Sequence, residues 1–150
     1  MDNKKIGKIL AVCKSVKKGT AKKNNDKGIF IKDYGLKDDA HGGKWHRQVS
    51  LLGIESINKM RRKDFEIGFG DFAENLTTKD IILYQLVPGT RLLIGKQVLL
   101  EVTQIGKECH HNCEIKAKIG HCIMPKEGIF TRVLKGGKVM TGDVIKVMPL

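Results

Sequence analysis

Short stretches of alternating apolar and polar residues recur along the chain, and this spacing predicts β-strands. The clearest stretch is 97–105, where the alternation is combined with β-branched residues that favour strands. Weaker stretches of the same kind predict the other strands, which we place at 6–13, 28–31, 48–52, 72–77, 81–86, 91–94, 130–134, around Val139, and at 144–147.

Glycines mark many of the boundaries between these strands. Gly136-Gly137 predicts a hairpin turn between the strand at 130–134 and the one at Val139. Apolar residues at helical spacing predict one clear helix over 53–62. Many short strands separated by glycine turns indicate an all-β barrel or sandwich.

The length of 150 residues predicts a single domain over 1–150 that buries a core without disulfides. The four cysteines are therefore interpreted as free thiols, metal ligands or a catalytic thiol. No apolar run approaches the roughly 20 residues of a membrane helix, and the first residues do not resemble a secretion signal. We expect a cytoplasmic protein without a membrane partner.

The net charge of +12 is concentrated in residues 1–63, which hold 17 Lys and Arg against 6 Asp and Glu. This excess predicts either a site for nucleic acid or a phosphorylated small molecule, or a solvated basic face. Aromatic residues make up only 5% of the chain, which disfavours nucleic acid because bases have little to stack on. The solvated face is the preferred interpretation for five lysines of one polar segment, namely Lys17, Lys18, Lys22, Lys23 and Lys27.

The densest chemical cluster follows the strand at 97–105 and surrounds Cys109. Lys107, His110 and His111 flank this cysteine, and nearby cations lower the pKa of a thiol and favour the nucleophilic thiolate. Cys113 is placed to resolve an oxidised or persulfidated Cys109 as a disulfide. These two cysteines are the candidate catalytic residues, whereas Cys13 lies in a strand and is interpreted as a small buried hydrophobe.

A metal site is the alternative for the same segment. Cys109, Cys113 and Cys122, together with one of His110, His111 and His121, offer the nitrogen and sulfur ligands that structural zinc prefers. The spacing lacks the paired Cys-x2-Cys knuckles of typical zinc sites, so this alternative stays open beside the catalytic thiol.

Residues 39–48 form a second candidate region. Gly42-Gly43 lets a ligand approach the backbone closely, and Lys44, His46 and Arg47 supply positive charge that suits a phosphate or another small anion. The alternative is an ordinary glycine-rich turn with an arginine on the surface.

Glu74 and Asn75 interrupt an apolar strand pattern and form the third candidate region. A carboxylate beside an amide can bind a heterocycle that carries both donors and acceptors, such as a pterin. Taken alone, these two residues favour turn capping or an internal hydrogen-bond network instead.

Taken in order, the regions resemble the MOSC family, which is named after the C-terminal domain of molybdenum-cofactor sulfurases. The resemblance extends over about 6–147 and implies a β-barrel, so we predict a mainly β fold of about seven or more strands with one or two short helices. The matching stretches are GLKDDAHGG at 35–43, FAENLTT at 72–78, GTRLLIG at 89–95 and LEVTQ at 100–104, followed by Cys109.

The resemblance also implies a function, namely sulfur transfer to the molybdenum or tungsten cofactor. Cys109, five residues after the Gln of the Glu-Val-Thr-Gln strand, is then the sulfur-bearing or molybdenum-contacting thiol. His41, Arg47, Glu74 and Asn75 are the implied ligand contacts. A module that binds the molybdenum cofactor or its metal without catalysis is the alternative.

The implied partners follow from what this chain is too short to hold. It has no room for the pyridoxal-phosphate desulfurase domain of the large family members, so no pyridoxal-phosphate site is expected. A separate cysteine desulfurase would donate sulfur, and a molybdoenzyme or a cofactor-biosynthesis protein would accept it. If the chain is an enzyme, its step is of the sulfurtransferase type.

Overall fold

The structure is a computed structural model that describes residues 5–18, 20–60, 67–107 and 123–149. These residues form mostly strands with a few short helical turns. The strands are β1 (Lys5–Lys14), β2 (Lys23–Asn24), β3 (Lys27–Ile31), β4 (Gly35–Leu36), β5 (Val49–Gly53), β6 (Leu76–Ile81), β7 (Arg91–Ile94), β8 (Val98–Ile105), β9 (Ile129–Lys135), β10 (Gly137–Met140) and β11 (Val144–Val147). The helices are α1 (Ile54–Asn58), α2 (Met124–Glu127) and a 3-10 turn at Leu83–Gln85.

Seven of these strands close into a barrel in the order β1-β11-β7-β8-β9-β5-β6, with β6 returning to β1. All neighbours in this ring are antiparallel except β5 and β6, which run parallel. A smaller sheet of β10, β3 and β4 stands beside the barrel, and β2 extends the end of β1. The predicted mainly β fold, a small barrel with two short helices, is confirmed.

The alternation of the sequence explains which side chains fill the barrel. In β8, Val98, Leu100 and Val102 are buried while the residues between them are partly exposed. Equivalent inward positions on the other strands complete one apolar cluster. Each such side chain contributes about 2 kcal/mol when it is removed from water, so the closed ring is held mainly by this core.

A second apolar cluster attaches the helices. Ile57 of α1 and Met124 of α2 pack with Phe72 and Phe130, and all four are almost fully buried. This cluster fixes the segment that enters β9, so it also orients Phe130 for the site described below.

The predicted strands at 72–77 and 81–86 are shifted in the structure. β6 begins only at Leu76, and Leu83–Gln85 form a 3-10 turn. The backbone N–H groups of Gly70 and Phe72 both bond the Glu74 carboxylate, which holds 70–74 as a turn instead of a strand. These local hydrogen bonds of Glu74 therefore override the apolar pattern.

The hairpin predicted at Gly136-Gly137 does not form, because β10 pairs with β3 and not with β9. At Gly136 an added Cβ would stand 2.4 Å from the Phe30 carbonyl oxygen. The glycine pair thus lets the chain pass close to β3 on its way from the barrel into the smaller sheet. The helix predicted over 53–62 is shorter, because α1 ends at Asn58.

In the parts of the chain that the structure describes, no helix is long and apolar enough to cross a membrane.

Candidate functional site

The cysteine segment predicted to carry the chemistry lies outside the described residues. This concerns the predicted catalytic and metal-ligating residues Cys109, Cys113, Cys122 and His110. The structure does describe β8 and its continuation through Gly106 to Lys107, which precedes Cys109 by two positions in the sequence. The described part of the candidate site consists of the groups that surround the end of β8.

The loop between β4 and β5, which carries His41, Lys44 and Arg47, is attached to the end of β8. The His46 Nε2 atom lies 2.9 Å from Gln104 Oε1, and Gln104 Nε2 donates to the Gly106 carbonyl at 2.7 Å. The Thr103 hydroxyl donates to the carbonyl of His46. Two of the sequence regions singled out above, the glycine-rich loop and the Glu-Val-Thr-Gln strand, thus meet at one place.

A buried ion pair supports this loop from below. Lys22 Nζ lies 2.7 Å from Asp39 Oδ1, and neither side chain is exposed. The backbone N–H groups of Ser15 and His41 also donate to the Asp39 carboxylate. The expectation that Lys22 belongs to a solvated basic face was wrong, because this lysine is only 3% exposed.

The protonation of the pair follows from its surroundings. Burial raises the pKa of Asp39, but the charge of Lys22 and several hydrogen bonds outweigh it and hold that pKa below its usual value. Burial lowers the pKa of Lys22, and the nearby Asp39 carboxylate opposes this effect. The pair is therefore an ammonium and a carboxylate that depend on each other for their charge.

His41 takes its orientation from the same lysine. The Nδ1 atom lies 3.0 Å from Lys22 Nζ. Burial, and then the positive charge of Lys22, lower the pKa of His41 to about 4, with Lys107 and Lys18 adding to the effect. The ring is neutral near pH 7 and accepts at Nδ1 from the ammonium, so its proton sits on Nε2.

Arg47 lies between two aromatic rings, with its guanidinium carbon 5.1 Å from the Trp45 ring centre and 5.6 Å from that of Phe130. Its Nε atom is buried and has no hydrogen-bond acceptor among the described residues. An unpaired buried donor on a cation is costly unless an acceptor reaches it, so Arg47 is suited to an anionic ligand.

Trp45 connects these groups. Its indole N–H donates to the His41 carbonyl at 2.8 Å, and its ring stacks parallel to that of His41. The Lys18 ammonium lies 4.6 Å from the same ring. We call Lys18, Lys22, His41, Arg47 and Lys107 the basic cluster. Trp45 was not among the sequence-predicted site residues, and its only sequence signal is its place between Lys44 and Arg47.

Lys44 is exposed and lines an open cleft of about 590 Å³ beside the basic cluster. Trp45 and His46 form one wall of this cleft, and Glu101 and Arg132, which pair at 2.6 Å, belong to the strands opposite. The cleft gives a ligand a route to the loop from solvent.

The structure places Glu74 and Asn75 beneath the loop and fully buried. Glu74 accepts from Gly70 N, Phe72 N and the Thr77 hydroxyl, and burial raises its pKa while these bonds lower it. These contacts cap the 70–74 turn, so the internal hydrogen-bond role weighed from the sequence is present in the structure.

Asn75 joins the third region to the second one. Its side-chain amide donates to the Cys13 carbonyl at 3.0 Å, and its carbonyl accepts from Ser50 N at 3.0 Å. A further side-chain hydrogen bond to Asp39 helps to lower the pKa of that carboxyl. Asn75 thus ties β1 and β5 to the ion pair under His41.

The two glycines of the loop have different roles. An added Cβ on Gly42 would stand 2.4 Å from the Tyr34 ring, so this glycine is needed for packing within the protein. Gly43 has a φ of 147°, and its Cβ position has nothing within 4 Å. The close approach of a ligand that the sequence suggested is therefore sterically open at Gly43 only.

Cys13 is fully buried, and burial raises the pKa of its thiol far above the ordinary range. Its interpretation as a small buried hydrophobe is confirmed. Within 5–18, 20–60, 67–107 and 123–149 there is no group of three or more His, Cys, Asp or Glu placed to hold a metal ion. The zinc alternative concerns the cysteine segment and lies outside these ranges.

Comparison with known protein families identifies the family to which this chain belongs. The family model of the MOSC domain matches residues 38–146, and the chain belongs to this family. MOSC domains are associated with the molybdenum cofactor. A comparison with curated proteins found no match.

Solved structures show the same fold. The YUAD protein from Bacillus subtilis superposes with a TM-score of 0.79 at 21% identity, covering 95% of each chain. YiiM from Geobacillus stearothermophilus gives a TM-score of 0.65 at 17% identity over 95% of this chain and 73% of that one. YiiM from Escherichia coli gives 0.66 at 17% identity over 95% and 70%.

Proposed function

We propose that this MOSC domain carries sulfur to the molybdenum or tungsten cofactor on the thiol of Cys109. The observation that carries the proposal is the position of Lys107. This residue continues β8, acts on His41 through its charge, and precedes Cys109 by two positions. The chain therefore enters the cysteine segment at the basic cluster.

The basic cluster supports the chemistry in one direct way. Sulfur transfer needs a thiolate, and neighbouring cations lower the pKa of a thiol. Lys18, Arg47 and Lys107 supply cations at this end of the barrel, whereas the Lys22 charge is balanced by Asp39. The neutral His41 adds a hydrogen-bond donor without competing for the proton of the thiol.

The same groups fit the cofactor as an anionic substrate. The buried Nε of Arg47, which lacks an acceptor in the described part of the chain, suits a phosphate oxygen. The Nε2–H of His41 offers a second donor, and the open position at Gly43 leaves the backbone accessible. Lys44 lies at the rim of the cleft, where it would meet the phosphate on entry. Asn75 contributes by holding Asp39, and Glu74 contributes by holding the 70–74 turn.

The step that loads sulfur onto Cys109 needs no external oxidant or reductant. The Cys109 thiolate attacks the outer sulfur of a persulfide on a separate cysteine desulfurase. The new bond joins Cys109 sulfur to the outer sulfur, the old sulfur–sulfur bond breaks, and the desulfurase leaves as a thiolate. A molybdoenzyme or a cofactor-biosynthesis protein is the proposed acceptor, and Cys113 is the proposed resolving thiol.

Intact-mass spectrometry after incubation with a cysteine desulfurase and cysteine tests this proposal. We expect the wild type to gain one sulfur atom, and Cys109→Ala to gain none. Cys13→Ala is the matched control, because this buried thiol should not take part and its loss should leave the gain unchanged. An unmodified wild type, or the same gain in Cys109→Ala, would contradict the carrier function. If the wild type gained no sulfur but retained molybdenum, and Cys109→Ala did not retain it, the protein would be a cofactor-binding module.

A further inference from the structure

The smaller sheet of β3, β4 and β10 has one face on the core and one face in solvent. Phe30, Leu36 and Val139 point inward, are almost fully buried and belong to the main apolar cluster. Side chains alternate between the two faces of a strand, so the residues beside these three point outward. The sheet therefore covers the core with one side and leaves the other side available to a partner.

Three large apolar side chains lie on the outward face. Ile29, Ile31 and Met140 are 46%, 39% and 45% exposed. Ile29 and Ile31 are neighbours on the same side of β3, and the register with β10 places Met140 diagonally from Ile29. Diagonal neighbours on one face are within reach of each other. The three side chains thus form a contiguous patch, and exposed patches of this kind mark interaction sites more often than scattered apolar residues do.

The patch has an open position beside Ile31. Ile31 pairs with Gly35 of β4. On the other side, the pairing of Gly137 with Phe30 brings Gly136 next to Ile31. Because neither neighbouring glycine has a side chain, an apolar side chain of a partner can pack beside Ile31 without displacing any group of this protein.

Three lysines surround the apolar patch. Lys138 lies opposite Ile29, Lys27 lies opposite Met140, and the backbone N–H of Lys37 donates to the Ile29 carbonyl at 2.9 Å. All three lysines are exposed, and none of them forms an ion pair within the described ranges. Strands β3, β4 and β10 contain no Asp or Glu. The outward face is therefore apolar at its centre and positively charged around it.

The charge of this face selects its occupant. A second copy of the chain would bring unpaired lysines against unpaired lysines, which repel each other. A nucleic acid would supply negative charge, but the patch offers its bases no aromatic ring on which to stack. A protein surface with apolar side chains surrounded by carboxylates meets both requirements, because protein interfaces combine an apolar centre with a polar rim.

We propose that this face docks an acidic protein partner, whose apolar side chains cover the patch while its carboxylates pair with the lysines. We call the six residues the isoleucine face, namely Lys27, Ile29, Ile31, Lys37, Lys138 and Met140. Ile31 precedes Asp33 by two residues, and Asp33 lines the cleft beside the basic cluster. A docked partner would therefore stand next to the entrance of that cleft. The proposal does not depend on the chemistry of Cys109.

A synthetic acidic helix is a suitable probe for this face. The peptide has leucine at every third or fourth position, glutamate beside each leucine and alanine elsewhere, so that both side-chain types lie on one side of the helix. In amide NMR titrations of the whole protein we expect it to shift the resonances of Ile29, Ile31 and Lys138. The matched peptide with glutamine in place of glutamate should bind at least about tenfold more weakly. Salt at about 0.5 M should also weaken the acidic peptide, because it screens exposed charges.

A double variant tests whether the isoleucine face is the binding surface. Ile29→Thr with Lys138→Gln removes an apolar side chain and a charge from its centre, and threonine keeps the β-branched shape that suits a strand. The matched control is Val144→Thr with Lys146→Gln, which removes an exposed valine and an exposed lysine from β11 of the barrel. We expect the first variant to bind the acidic peptide about tenfold more weakly and the control to bind as the wild type does.

Four results would overturn the proposal. The first is the absence of shifts at Ile29 and Ile31, and the second is equal binding of the glutamate and glutamine peptides. The third is a loss of peptide affinity in the β11 control as large as that in the Ile29 variant. The fourth is binding to phosphatidylserine vesicles that the Ile29 variant abolishes, without peptide binding at this face, which would assign the face to a membrane surface instead.

Discussion

The ammonium of Lys22 and the carboxylate of Asp39 form a fully buried ion pair with a separation of 2.7 Å. Lys22 also lies 3.0 Å from the Nδ1 atom of His41, so the pair fixes which nitrogen of this histidine carries the proton. Asn75 and the backbone of Ser15 hold the carboxylate from the other side. The loop that carries the proposed anion-binding groups is therefore positioned by a charge network beneath it.

Removal of one partner of this pair should strongly destabilise the fold. Lys22→Met leaves the Asp39 carboxylate buried without its counter-charge, and we expect a loss of about 4 kcal/mol in the free energy of unfolding. Urea denaturation at neutral pH measures the loss. The exposed neighbour Lys23→Met is the control and should change the stability very little. The double variant Lys22→Met, Asp39→Leu should recover most of the loss, and a double variant as unstable as Lys22→Met would contradict this account.

The neutral state of His41 predicts a pH dependence of stability. Its pKa falls from 6.5 to about 4 in the folded protein, so the unfolded chain binds more protons between these values. Stability from this residue is present above pH 6.5 and is lost as the pH falls towards 4, by up to about 3 kcal/mol. Urea denaturation of the wild type at several pH values within this window measures the loss.

His41→Asn isolates this effect from that of other titrating groups. Asparagine keeps an acceptor for the Lys22 ammonium but does not titrate. The difference in unfolding free energy between wild type and variant should therefore change with pH across the window. A constant difference would mean that His41 has an ordinary pKa.

The unpartnered hydroxyl of Thr78 predicts a substitution that stabilises the protein. Thr78→Val keeps the shape of the side chain and removes a buried polar group that has no partner in the described residues. We expect the free energy of unfolding to rise by about 1 kcal/mol. Thr77→Val is the matched control and should be destabilising, because the Thr77 hydroxyl donates to the buried Glu74 carboxylate at 2.8 Å. A loss of stability in Thr78→Val would show that its hydroxyl is satisfied.

Arg47 should dominate the binding of simple phosphates. We expect Arg47→Gln to weaken the binding of inorganic pyrophosphate about tenfold or more, because the buried donor on a cation is lost. Isothermal titration calorimetry measures the affinity. Arg91→Gln, an exposed arginine on β7, is the control and should bind as the wild type does. Equal affinities for all three proteins would exclude Arg47 from the anion site.

Much of the barrel could be predicted because its strands are short and locally patterned. The alternation at Val98, Leu100 and Val102 states directly which side faces the core, and β8 was placed within one residue of its observed bounds. The strand predicted over 72–77 failed for a physical reason, because the backbone N–H groups of Gly70 and Phe72 donate to the Glu74 carboxylate and turn the chain. The hairpin predicted at Gly136-Gly137 failed for a different reason. Gly136 lies close to Phe30 of β3, and this contact with a strand that is distant in sequence leaves no local signal.

Several residues of the site could be predicted from the sequence, but the contacts between them could not. His41 and Arg47 stand out locally, because histidine and arginine beside a glycine pair suggest an anion site. Lys22 does not stand out, because its partner Asp39 lies 17 residues away and the surrounding run of lysines favours solvent exposure. Only the tertiary structure distinguishes this one buried lysine from its exposed neighbours.

The state of the Cys109 thiol tests the central claim most directly. The rate at which iodoacetamide alkylates Cys109, followed by peptide mass mapping against pH, reports the pKa of this thiol. We predict an inflection below the ordinary thiol value of about 8.5, and a shift to higher pH in Lys107→Gln. An inflection at or above that value in the wild type would contradict a thiolate held beside the basic cluster.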